Sequence, residues 1–393
     1  MSIPKHILPI IVLSQFCCTS LWFASNAVMN DIVEAFQLSE SALAHLTSAV
    51  QFGFIAGTLV FAFLTIADRF SPSKVFFTCA ILGATSNLGI LWQGNSLISL
   101  FSFRFLMGFC LAGIYPVGMK IAADYFQKGL GKSLGYLVGA LVIGTAFPHL
   151  LKGFTSDLPW RFVLIATSSI ATIGGLLMFF LVPNGPHRKA SSQPDFTLLF
   201  KVFQKQDFRR AAFGYFGHMW ELYAFWTFVP TILLTYQMKQ EGLDWNIPLL
   251  SFWIIGLGGL ACIIGGYFSQ QFGARKVASV ALSLSCVCCL LSPLILNINI
   301  PFILLIFLIF WGLVVIADSP LFSTLVAQSA ISEHKGTALT IVNCIGFSIT
   351  IVSIQLLSFL LKYIAPHYVY LFLAIGPVLG LMALRGKKVR GSV

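Results

Sequence analysis

Charge is what this sequence has least of. Asp and Glu together number 13 in 393 residues, Lys and Arg 24, and charged residues make up 9% of the chain. A soluble globular domain carries roughly a quarter charged residues, so this composition cannot build a surface that faces water. Disordered chains are charge-rich and poor in aromatics, and aromatics here reach 14%. Other features are missing too. There is no Gly-Lys-Ser/Thr phosphate loop, no His/Cys/Asp cluster at metal spacing and no readable nucleophile–base set. These absences argue against direct use of ATP, a metal centre, a cofactor or an enzyme. No polar run resembles a selectivity filter, which weakens a channel reading. The nine cysteines all fall in apolar segments, so no disulfide is expected. Cys286, Cys288 and Cys289 have no His or acid nearby in sequence and read as small hydrophobes.

What the chain has instead is apolar length. Hydrophobic residues make up 58%, and the mean hydropathy is +0.89. Twelve long apolar stretches cover 7–29, 43–66, 75–93, 97–123, 131–151, 162–182, 211–235, 247–268, 277–297, 301–325, 337–361 and 366–384. A bilayer core about 30 Å thick needs about 20 apolar residues per helix. Lipid offers backbone groups no partner, so these stretches are expected to be helices; a barrel would show short alternating strands. They are called helices 1 to 12 below. Lys5, the apolar run after it and Ala24-Ser25-Asn26-Ala27 have the outline of a cleavable signal peptide. The run is long for one, and its loss would leave an odd helix count, so it reads as the first span. The fold expected is an all-α integral membrane protein.

Basic residues set the orientation. With the N-terminus in the cytoplasm, most Lys and Arg fall on the cytoplasmic side. They include Arg69, Lys74, Lys128, Lys132, Arg188, Arg275, Lys276 and the tail Arg385, Lys387, Lys388 and Arg390. Lys152, Arg161, Lys239 and Lys362 fall outside, and Arg104 lies within the membrane. Both termini are therefore expected to be cytoplasmic. The net charge of +11 is a topology signal, because the chain offers no soluble basic domain for nucleic acid.

Residues 183–210 form the longest polar stretch. They divide the chain into six-helix bundles at 1–182 and 211–393, the second ending in a short basic tail. The halves echo each other. Phe70, Lys74 and Val75 after helix 2 match Phe272, Lys276 and Val277 after helix 8, and Pro116 in helix 4 matches Pro320 in helix 10. Duplicated helical units with a site between them near the midplane are characteristic of secondary transporters.

At these residues the chain resembles the major facilitator superfamily over essentially its whole length. Asp68, Arg69 and Lys74 resemble the family's loop 2–3 signature, with Leu64 and Ser71 where glycines are usual. The second-half copy has Gln270 in place of the acid. Leu100, Arg104 and Gly108, with Gly113 following, resemble the helix 4 signature. Gly131, Gly135, Gly139, Gly144 and Pro148 partly resemble the helix 5 motif of the superfamily's antiporters, although spacing of this kind also suits close helix packing. Residues 112–120 resemble bacterial members near the nitrate and cyanate porters, but helices 2 and 8 lack the arginines of nitrate porters. The resemblance implies two pseudo-symmetric bundles, a monomer, and a cavity lined by helices 1, 4, 7 and 10. It also implies that Asp68, Arg69 and Lys74 act as a cytoplasmic gating latch.

Away from segment ends, Arg104, Glu221 and Asp318 are the three candidates to carry an ionised side chain, and they lie on helices 4, 7 and 10. Charge in a bilayer costs several kcal/mol, roughly 2.5–3.5 on the most lenient scale, unless it faces a cavity or partner. Glu221, with His218 one turn before it, reads as a proton-coupling carboxylate and relay; the alternative is a structural Glu bonded to a neighbouring helix. Asp318, beside Pro320, reads as an ion or substrate site or as a partner for backbone groups freed by the proline. Arg104 could bind a substrate carboxylate through its fork or pair with an acid. Trp22, Asn26, Tyr115, Tyr223, Trp226 and Asn343 are candidate cavity lining, with His45, Gln51 and His149 behind them. Aromatic walls with few polar groups suit a small-molecule site. The expected function is a secondary transporter of a small organic solute, coupled to protons, in the bacterial inner (plasma) membrane. A drug or metabolite efflux antiporter and a non-transporting sensor are the alternatives.

Overall fold

The computed structural model describes residues 4–39, 41–126, 130–155, 158–188, 203–330 and 335–385. Gly131 and the basic residues Lys128, Lys132, Lys387, Lys388 and Arg390 lie outside what is described at side-chain level, as do residues 189–202 of the 183–210 stretch. Every regular element among the described residues is helical. Among the described residues nine helices are long and apolar enough to cross a membrane: Ala42–Phe63, Leu97–Tyr125, Ser133–Phe154, Arg161–Leu181, Ile247–Phe272, Ala274–Ile295, Pro301–Ser329, Thr337–Leu360 and Pro366–Leu384. The other three sequence segments correspond to Ile7–Thr19, Pro72–Gly89 and Gln206–Gln237. Large apolar side chains face outward, among them Phe180, Leu294, Phe302 and Leu379. A surface this apolar is stable only against lipid.

Helices 1, 4 and 10 depart from the segments read in sequence, each for a local reason; helix 8 is also interrupted at Leu257, and helix 12 carries a 3-10 stretch at Tyr370–Ala374. Helix 1 stops at Thr19 and resumes as a 3-10 turn at Asn26–Val28 and a short helix at Met29–Ala35. Thr19 and Ser20 turn their hydroxyls back onto the carbonyls of Gln15 and Cys17, at 2.8 and 2.7 Å. That bonding competes with the helix ladder and bends it. Helices 4 and 10 are each broken in two. Helix 4 is Leu97–Leu111 and Tyr115–Tyr125, and helix 10 is Pro301–Ala317 and Ser319–Ser329. In both, a proline sits in the first turn of the second piece, where its missing N–H is harmless.

The repeat is visible in the packing. A Cβ on Gly108 would collide with the carbonyl of Val50, and a Cβ on Gly312 with the carbonyl of Ile254. The two pairs stand at the same sequence offset as Pro116 and Pro320, so helix 4 meets helix 2 as helix 10 meets helix 8. Close approach of this kind needs glycine. Within the first six helices, Asn87 donates to Leu164 O, Thr167 and Ser168, which ties helix 3 to helix 6.

Contacts between the first six helices and the last six gather at one end. Gln355 of helix 11 donates to Ser48 of helix 2 at 2.9 Å, and Asn246 donates to the Gly153 carbonyl of helix 5 at 2.8 Å. Helices 5 and 8 touch at Gly139 and Gly259, then part toward Gly135 and Gly266. The gap between them is a cavity of about 180 Å³ whose lining includes Gly135, Tyr136, Cys262, Gly266 and Pro320. Among the described residues the two halves are tied by side chains at the Gln355–Ser48 end, and helices 5 and 8 part toward the end that carries Asp68.

Candidate functional site

The middle of the molecule is plugged by aromatic rings from both halves. Trp22 stacks on Tyr223 and on Phe347, with centroids 5.7 and 5.8 Å apart, and Phe54 lies 4.5 Å from Phe347. Trp226 meets Tyr223 and Phe23 edge-on. Tyr223 contacts both Trp22 and Trp226. The indole N–H groups of both tryptophans, and the amide of Gln51, are buried without a hydrogen-bond partner. Tyr115 and Asn343 are half-buried on helices 4 and 11.

The three intramembrane charges have separate fates. Asp318 and His218 meet, with Oδ1 2.8 Å from Nδ1 and both side chains 1% exposed. Asp318 stands at the N-cap of the second half of helix 10, where an Asp side chain ordinarily accepts an N–H of the first turn. Here it makes no cap bond, and only its backbone carbonyl receives Leu321 and Phe322. The break in the helix frees the carboxylate to face helix 7. Neither carboxylate oxygen accepts a well-aligned hydrogen bond, so the approach to His218 is a close ionic contact.

Glu221 is turned the other way. It accepts from Trp311 Nε1 at 2.6 Å, Ser285 Oγ at 2.9 Å and Cys289 Sγ at 3.3 Å, all within helices 9 and 10. It does not share a partner with His218. Three donors and no cation make this a fully bonded carboxylate inside the second bundle. Trp311, Ser285 and Cys289 are functional neighbours that the sequence reading missed. Ser285 and Cys289, four residues apart on one helix face, were the available signal.

Arg104 pairs with no carboxylate among the described residues. Nε donates to Leu46 O at 3.3 Å, while one terminal nitrogen donates to Trp22 O at 3.2 Å and Asn26 Oδ1 at 2.8 Å. Asn26 in turn donates to Thr47. The unwound stretch after Thr19 leaves carbonyls without helix partners, and the guanidinium fork takes one of them. Arg104 thus clamps helices 1 and 2 to helix 4. Lysine would keep the charge but not the fork. Arg104→Lys is expected to lose at least one charge-assisted bond, about 1.5–3 kcal/mol, and to lower the melting temperature of the detergent-solubilised protein. An unchanged melt would contradict the clamp.

At the open end Asp68 lies 2.7 Å from Lys120 of helix 4, and Lys120 lies 3.9 Å from Asp124. Arg188 donates to the carbonyls of Asp68 and Phe70. Arg69 and Lys74 form no ion pair among the described residues. Lys120, near the end of its segment, is the partner that sequence reading did not single out. None of these bonds reaches helices 7 to 12.

Helix 10 is thus broken beside a buried acid, the two halves are tied at one end, and the helix 2–4 contact repeats between helices 8 and 10. The sequence profile of the Major Facilitator Superfamily matches residues 11–354. The chain belongs to that superfamily. Two curated relatives, the uncharacterized transporter YgaY of Escherichia coli O157:H7 and its counterpart in strain K12, are each 25% identical over 194 residues. The match takes in 47% of this chain and 47% of theirs, so the chain spans about half the length of the curated relatives it matches. Among solved structures, a crystal structure of a variant of the nucleoside transporter NupG superposes with a TM-score of 0.73 at 16% identity, covering 97% of this chain and 98% of that one. A bacterial homolog of the human lysosomal transporter Spinster, inward-facing and unoccupied, gives a TM-score of 0.71 at 15% identity over 98% of both chains. At these identities the superfamily fold is what is shared.

Proposed function

We propose that this superfamily member is a proton-coupled secondary transporter of a small organic solute. The Asp318–His218 pair is its coupling group, in preference to Glu221. The observation that carries the reading is the pair itself: an acid released from its capping role by a helix break, facing a histidine across the bundle axis. Pro320 and Cys262 line the open cavity, which supports access of water to the pair. A carboxylate that trades a histidine for a proton links protonation to the helix 7–helix 10 contact. Glu221 is already held by three donors, and a proton there would displace one of them.

The excess of Lys and Arg at the Asp68 end marks that end as cytoplasmic. The structure then corresponds to an inward-facing state, with both termini inside and the chain working as a monomer in the bacterial inner membrane. The Asp68–Lys120 cluster serves as a latch whose bonds stay within the first bundle while the inner side is open. An exporter of hydrophobic compounds is the second reading, favoured by Tyr136, Ile263 and Tyr267 in the wall of the open cavity.

The test is uptake into proteoliposomes of a solute panel that includes amino acids, nucleosides, carboxylates and lipophilic cations, with and without a pH gradient. At least one solute is expected to accumulate beyond equilibrium only with the gradient. If the protein is folded and no solute moves faster than into empty liposomes, the reading fails.

A further inference from the structure

A second cavity, of about 260 Å³, lies at the Gln355–Ser48 end, where helices 1 and 5 face helix 7 and the start of helix 8. It is separate from the Asp318–His218 pair. The first half contributes Asn26, Asp31, His149 and Lys152; the second contributes Thr227 and Trp245. Lys152 Nζ donates to Asp31 Oδ1 at 3.1 Å, with side-chain exposures of 17% and 32%. His149 is 1% exposed, and its Nε2 has no hydrogen-bond partner. Trp245 is held in place: its ring stacks on Tyr236 at 5.6 Å, its backbone N–H donates to Gln237, and the next residue, Asn246, is tied to Gly153.

The cavity thus offers one anion, one cation, one unsatisfied imidazole nitrogen and a fixed aromatic wall. We propose that it is a docking site for a zwitterionic solute with an apolar side group, of the chemical class of an aromatic or branched α-amino acid. This rests on the reading of the chain as a transporter and names the solute class met on the outer side of the aromatic plug. The argument is charge balance. Asp31 and Lys152 cancel each other, so a simple cation or anion that enters strands one of them. A ligand carrying both charges replaces the pair without leaving an uncompensated charge. Its ammonium faces Asp31, and its carboxylate faces Lys152 and accepts from His149 Nε2–H. Partly exposed ion pairs are weak, so the exchange loses little. The apolar group then lies against Trp245, a large and rigid contact.

The experiment is isothermal titration of the full chain in detergent with L-phenylalanine, N-acetyl-L-phenylalanine and phenethylamine. L-Phenylalanine is expected to bind at least tenfold more tightly than either analogue, since each lacks one charge. In Asp31→Asn the preference over the N-acetyl compound falls to within twofold; in Lys152→Met the preference over phenethylamine does the same. Should Asp31→Asn fail to fold, Trp245→Ala carries the test through loss of the preference for L-phenylalanine over L-alanine. Equal affinity for the three probes, no heat from folded wild type, or preferences unmoved by the variants would overturn the proposal. The uptake test above does not depend on this cavity, so in that case the transporter reading stands and only the docking site falls.

Discussion

Asp318→Asn is expected to abolish uphill accumulation of the transported solute, by at least tenfold, while leaving solute exchange between the two sides of the membrane within a few-fold of wild type. Asparagine fills the same space beside His218 but exchanges no proton, so the cycle runs without its coupling step. Counterflow in proteoliposomes separates the two activities. Glu221→Gln is the informative comparison. Its amide would place N–H groups against Trp311 Nε1–H or Ser285, and a buried donor left unsatisfied costs about 1–3 kcal/mol. The expected result is a lower melting temperature with accumulation retained. If Glu221→Gln loses accumulation while Asp318→Asn keeps it, the coupling assignment passes to Glu221.

Gly135→Trp and Gly266→Trp are each expected to stop transport, by at least tenfold, with little change in the melting temperature. A helical glycine costs about 1 kcal/mol relative to alanine, which close packing usually offsets. Every other described glycine in a helix would bring a Cβ to within 3.4 Å of a neighbour, whereas a Cβ at Gly135 or Gly266 meets nothing within 4 Å. Both line the cavity between helices 5 and 8 at the open end. On the proposed transport cycle, their close packing belongs to the other state, in which that end shuts and the helices rock about the Gly139–Gly259 contact. A tryptophan has room in the present state and none in the closed one. Gly53→Trp should instead unfold the protein, because its Cβ would collide with the carbonyl of Phe105. Transport that survives tryptophan at both Gly135 and Gly266 would show that helices 5 and 8 do not close there.

Much of this fold was legible because bilayer thickness imposes a length on every span, and the apolar runs state it directly. The break at Pro320 and its match at Pro116 were readable for the same reason: proline acts locally. Helix 1 was misjudged in extent. Its run from 7 to 29 is apolar enough to look continuous, and the bend comes from Thr19 and Ser20 bonding backward, which composition does not reveal. Of the site, the three intramembrane charges were visible in sequence, but their partners were not. His218 and Glu221 are one turn apart, yet three residues still leave about 60° between side chains at 3.6 residues per turn. That angle sends one to helix 10 and the other to helices 9 and 10 behind it. Cross-helix partners such as Trp311, Lys120 and the acceptors around Arg104 depend on register between helices, for which a single sequence carries no local signal.

The central claim is that solute and proton cross together through the Asp318–His218 pair. It is tested most directly by wild-type proteoliposomes holding an internal pH dye, with a solute from the uptake panel added and no gradient imposed. The account predicts a solute-dependent pH change inside, saturable in solute, that is absent with Asp318→Asn although the solute still exchanges. Solute movement with no pH change in wild type, or an equal pH change with Asp318→Asn, would contradict it.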